Sequence, residues 1–140
     1  MTTKNKEQIQ YSSGYKYALE ETYSLLTPIT GYTVGCDQYL LRPDGSLTIA
    51  KGFPWDGPSG ITYDTSSSLR ASLIHDVFCL MMRNKSLPHS YRHQVNEFFK
   101  QLCIEDGMWG WRAHLWFLAV EAADCGNPDQ GPDRIVKVAP

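Results

Sequence analysis

Gly52-Phe53-Pro54-Trp55-Asp56-Gly57-Pro58-Ser59-Gly60, and then Leu69-Arg70-Ala71-Ser72-Leu73-Ile74-His75-Asp76-Val77-Phe78, divide the chain into two kinds of structure. The first stretch has too many glycines and prolines for a regular element and reads as an irregular loop. The second reads as a helix. Leu69, Leu73, Val77, Leu80 and Met81 recur at helical spacing, and Ile74, Phe78 and Met82 add a second apolar face. A helix apolar on most sides is a buried helix. Thr65 to Ser68 supply its cap, Asp64 is a further capping candidate, and the helix should end at Asn84 or Lys85.

On the N-terminal side of the loop, residues 31–53 read as β-structure. Tyr39-Leu40-Leu41-Arg42 and Ser46-Leu47-Thr48-Ile49 flank Pro43-Asp44-Gly45, a hairpin turn signal. Residues 11–30 are a mixed lead-in with Tyr11, Tyr15, Tyr17 and Tyr23 as amphipathic anchors. On the other side, Pro88 and Ser90 open a second helix running to Asp106, with Gly107 as its stop. Tyr91, Val95, Phe98, Phe99 and Leu102 form its core face. A third helix spans about Trp109 to Asp124, with Leu115, Trp116, Leu118, Ala119 and Ala122 expected on its buried side. The predicted class is α+β: a small N-terminal antiparallel sheet, a glycine-rich loop, and three helices, the first two an antiparallel pair. The expected organisation is an arm over 1–20, one globular domain over 21–126, and an extended arm over 127–140.

The totals narrow the function. The 140 residues carry a net charge of -2 with Lys and Arg scattered, so no basic surface for nucleic acid is expected. No apolar run reaches the roughly 18 residues of a membrane span. Met1 to Gln10 is polar and lacks a signal-peptide core, which predicts a chain made and kept in a cytoplasm or packaged from one. Cys36, Cys79, Cys103 and Cys125 are widely spaced; free thiols are expected, and a zinc site is not.

His75 and Asp76 are the residues with chemistry in them. An ionisable pair amid Leu73, Ile74, Val77 and Phe78 costs free energy unless it is partnered. Counting back from the short link at Ser86 to His89 sets this pair opposite residues 96–98, which makes Asn96 the expected polar neighbour. Cys79 lies one turn beyond His75. Asp76 with loop carbonyls would suit calcium, and His75 would then act as a base towards water. The competing reading is that the pair simply fixes the loop on the helix through hydrogen bonds. Trp55 and Asp56 carry the same two readings. His89, His93 and Glu97 recur every four residues, but Lys100 shares their face, so a solvated face is expected there. Trp109 and Trp116, seven apart, read as packing, and His114 has no evident acidic partner.

The loop from Gly52 to Gly60, Asp64-Thr65, Leu69 to Asp76, Glu105-Asp106-Gly107-Met108 and Arg112-Ala113 together resemble a family of small phage and prophage proteins catalogued as a domain of unknown function. The resemblance covers roughly residues 20–126 and implies a phage gene without implying an activity. More distantly, the order of loop, His-Asp helix and antiparallel helix is similar to phospholipase A2. That likeness implies Gly57 and Gly60 in a calcium loop, His75 as general base, Asp76 as calcium ligand, and Arg70 at a spacing resembling the secreted enzymes.

Two departures stand out. Cys79 replaces the Tyr usual four residues after the His, and Asn96 replaces an acidic residue, so the negative charge that would orient His75 is missing. The resemblances therefore imply a virion component of the tail, neck or baseplate with a non-catalytic site. Its expected partners are other virion proteins, reached through the arms and in an oligomeric or assembled state. It would reside in the particle, or in the host cytoplasm before assembly. A calcium-dependent lipid-ester or envelope hydrolase is the alternative, and an intracellular host-factor binder a third.

Overall fold

The computed structural model describes residues 11–12, 17–55 and 66–123. They fall into two compact units, one of β-structure ending near Trp55 and one of helices.

The β unit holds two antiparallel sheets. Strands β1 (Tyr11–Ser12), β2 (Tyr17–Leu19), β3 (Tyr23–Leu26), β4 (Val34–Gly35), β5 (Tyr39–Leu41), β6 (Ser46–Ile49) and β7 (Pro54–Trp55) form sheets of order β1-β2-β7 and β3-β6-β5-β4. The predicted hairpin is β5–β6, with Tyr39 opposite Ile49 and Leu41 opposite Leu47. Period-two alternation decides which face is buried: Tyr23, Tyr39, Leu41, Leu47 and Ile49 point inward. On the other face, Ser24 Oγ meets Thr48 Oγ1 at 3.0 Å, and Arg42 donates to Thr48 Oγ1 at 3.0 Å. Strands begin earlier than expected, because Tyr17–Leu19 and Tyr23–Leu26 in the lead-in find partners far along the chain. Such pairing leaves little local signal.

The hairpin turn is fixed twice. Asp44 Oδ1 accepts the Ser46 N–H at 2.9 Å, and the Ser46 backbone and hydroxyl together hold the Asp44 carboxyl below its ordinary range. Gly45 adopts φ +94° with its Cα facing the Thr27 carbonyl, which accepts no side chain there.

The helical unit has α1 (Ser66–Arg83), a 3₁₀ turn (His89–Tyr91), α2 (Arg92–Glu105) and α3 (Gly110–Ala122). The first two helices pack against each other, as the short link required. α1 stops through a Schellman arrangement: Ser86 N–H bonds the Met81 carbonyl at 2.8 Å while Lys85 takes φ +65°. Gly107, at φ +106°, ends α2 likewise, with Met108 N–H on the Cys103 carbonyl at 2.9 Å. No described helix is long and apolar enough to cross a membrane.

The third helix corrects the expectation. Ala113, Trp116 and Phe117 are its buried residues, whereas Leu115 and Leu118 are 55% and 49% exposed and Ala122 is exposed too. Trp109 and Trp116 do not share a packed face: Trp116 is buried, while Trp109 precedes the helix, is 71% exposed, and lies edge-on to Trp111. α3 is apolar almost all round, so its periodicity could not say which side would pack. Its contacts with α2 decide that.

Candidate functional site

α1, α2 and α3 each contribute one member of a polar chain that runs from the core to a partly exposed carboxylate. His75 on α1 and Asn96 on α2 are both buried, and Asn96 is fully so. His75 Nε2 lies 2.6 Å from Asn96 Oδ1. The Asn96 amide nitrogen lies 2.8 Å from Oε2 of Glu121 on α3 and 3.4 Å from the Val120 carbonyl. Both of those are acceptors only, so the amide nitrogen must donate to them. Asn96 Oδ1 must therefore accept, and Nε2 carries the imidazole proton. The relay runs His75 N–H to Asn96, then Asn96 N–H to the Glu121 carboxylate.

No local feature of the sequence marks Glu121. It reaches Asn96 only because α3 folds back over α2. Arg92 secures that register, with one guanidinium nitrogen donating to the Glu121 and Ala123 carbonyls at 2.9 and 3.1 Å, at the end of α3. His93 Nδ1 stands 3.2 Å from Glu121 Oε2, and His93 Nε2 stands 3.5 Å from Glu97. His93 and Glu97 are exposed, in keeping with a solvated face.

The other side of the imidazole is closed by sulfur. Cys79 Sγ lies 3.5 Å from His75 Nδ1. Cys79 is disulfide-bonded, contrary to the expectation of free thiols, and its partner lies outside the described residues. Cys36 and Cys103 are free, as expected. A disulfide sulfur has no proton, and a neutral imidazole protonated at Nε2 has none at Nδ1. The Cys79 approach is thus a packing contact that fills the space before the ring's lone pair. Phe99 lies edge-on to the ring, with centroids 5.3 Å apart.

Burial pushes the His75 pKa down, the Asn96 hydrogen bond acts against that, and the nearby Arg92 charge adds to the lowering. The ring is held neutral. Partial burial raises the Glu121 carboxyl, but its hydrogen bonds from Asn96 and His93 outweigh this, and the net shift is downward. The relay ends in a carboxylate that stays charged.

Arg70 forms a second tie between α1 and α2. Its Nε and Nη2 donate to Asp106 Oδ2 and Oδ1 at 3.0 and 2.9 Å, and Nη2 also reaches Glu105 at 3.2 Å. The Arg70 side chain is 5% exposed, so this two-pronged pair is sheltered from water. Beside it, burial and then the Asp106 charge push the Cys103 thiol up to about 12, which keeps it protonated and unreactive.

Asp76 is half-buried on α1. Trp55 is buried in the β unit and packs on Tyr17, with ring centroids 5.4 Å apart. Asp56, Gly57, Ser59, Gly60 and Asp64 lie outside the described residues. Among the described residues no three His, Cys, Asp or Glu side chains converge to hold a metal. Comparison of the chain with protein-family models, curated proteins and solved structures finds no match.

Proposed function

We propose that this chain is a structural component of a phage particle, associated with the tail, neck or baseplate, in which the His75 site ties helices together and performs no chemistry. The observation that carries the non-catalytic part is the enclosure of the His75 ring. A general base must present a lone pair to a reactant within hydrogen-bond reach. Nε2 is spent on Asn96, and Cys79 Sγ stands before Nδ1. With its pKa also lowered by burial, the ring suits a permanent neutral cross-link. The phage setting rests on the resemblance of the 52–60 loop and the His-Asp helix. Mass spectrometry of purified particles should recover the chain, and its absence from them would overturn this reading.

A second reading, a hydrolase assisted by calcium, is favoured by one observation. Glu121 supplies, behind Asn96, the negative charge that Asn96 itself lacks. Asp76 is the described residue that would hold the cation, which would polarise an ester carbonyl when bound. Ester hydrolysis measured with and without calcium decides between the readings. Activity abolished by His75→Ala would establish the hydrolase; no His75-dependent activity is expected.

A further inference from the structure

We infer that α3 is the contact surface between two copies of this chain, packed antiparallel about a two-fold axis close to residues 116–117. The inference goes beyond the particle reading and stands without it. Trp111, Leu115, Leu118 and Ala122 recur at helical spacing on one face, and all four are exposed, Trp111 to 63%. With Trp109 beside them they form an apolar patch on the order of 500 Å², the upper end of what a monomer exposes. A solvated helix face would carry charge; this one carries none.

The stripe is complementary to itself. An antiparallel copy centred between residues 116 and 117 lays Trp111 over Ala122, the largest residue over the smallest, and Leu115 over Leu118. Two-fold contacts require such pairing of a surface with its own reverse. The charges agree. His114 and Glu121, two α3 residues that meet side chains of α2, flank one edge of the stripe. Lys100 Nζ and His114 Nδ1 are 3.3 Å apart towards the start of α3. Glu121, 3.2 Å from His93, lies towards its end. A two-fold axis brings the same edge of both copies together in opposite directions. The Lys100 end of one copy then meets the Glu121 end of the other. Patch and rim together approach the roughly 800 Å² per partner of an ordinary stable interface.

Sedimentation equilibrium of the full chain tests this. The expected mass is twice 15.9 kDa. Leu118→Glu should halve it with helical circular dichroism unchanged. Trp111→Ala and Ala122→Trp should each weaken the pair, and the double variant should restore it by exchanging the large and small residues. Four results would overturn the inference: a wild-type chain that stays monomeric throughout the micromolar range; a dimer that survives Leu118→Glu; a double variant no tighter than its parents; or a monomer that floats with anionic phospholipid vesicles and loses this with Leu118→Glu.

Discussion

His75 and Asn96, twenty-one positions apart, are joined by a 2.6 Å hydrogen bond from Nε2–H to Oδ1 across the α1–α2 interface. Asn96 serves this bond with its oxygen while its nitrogen serves Glu121, so one fully buried side chain holds three helices. Asn96→Ala strands the buried His75 N–H. A buried donor left without a partner costs about 1–3 kcal/mol. Urea unfolding should show a loss of that size in midpoint stability with an unchanged m-value. A variant as stable as wild type would mean the relay contributes nothing. Glu121→Gln keeps an acceptor for Asn96 and should lose less.

The lowered His75 pKa sets a direction for acid sensitivity. Below the ordinary value of 6.5 the unfolded chain takes up a proton at this ring that the folded chain resists. The unfolded state then binds more protons, and stability falls as pH falls. Stability from this group is complete above about 6.5 and is lost towards the lower folded-state pKa, at no more than about 1.4 kcal/mol per pH unit. Glu121, also lowered, acts in the same sense at more acid pH, below its ordinary 4.5. Denaturant midpoints measured down the acid limb check this. His75→Gln should flatten the decline just below 6.5, and an unchanged decline would assign it elsewhere.

Arg70 should tolerate neither loss nor simple charge replacement. Breaking a buried ion pair by removing one partner leaves the other uncompensated, at about 3–5 kcal/mol. Arg70→Ala exposes Asp106, whose side chain is 11% exposed, to that penalty. The Glu105 arm, 36% exposed, adds little after solvent screening. Arg70→Lys keeps the charge but not the fork that grips both Asp106 oxygens, and should recover only part of the loss. Thermal melts of the two variants test the order; equal stability of Lys and Arg would show that only charge matters.

The parts legible in the sequence were those with local causes. Pro43-Asp44-Gly45 marks its own turn, Gly107 marks its own helix end, and the short α1–α2 link sets His75 against Asn96 by counting. The missing parts depend on tertiary choice. Glu121 joins the site only because α3 lies across α2, and no spacing on α3 encodes that. An almost wholly apolar helix has no polar face to orient it, so the spacing of Leu115 and Leu118 does not mark them as exposed. Wide cysteine spacing carries no pairing information, so nothing in the sequence marks Cys79 as disulfide-bonded.

Two glycines of the β unit separate backbone strain from steric clash. Gly45 and Gly52 have nearly the same left-handed conformation, φ +94° and +93°. An alanine at either position incurs the left-handed cost of about 1–2 kcal/mol. The surroundings differ. A Cβ on Gly52 meets nothing within 4 Å, whereas on Gly45 it would press into the Thr27 carbonyl. That carbonyl cannot retreat easily: Thr27 N–H donates to the Gly45 carbonyl at 2.8 Å, and the Thr27 hydroxyl donates to the same oxygen at 2.8 Å. Gly52→Ala should therefore lose about 1–2 kcal/mol, and Gly45→Ala that amount plus the cost of moving backbone. Denaturant unfolding of the two variants measures the difference. Equal losses would show that the 27–45 contact yields freely and that conformation alone requires glycine in this turn.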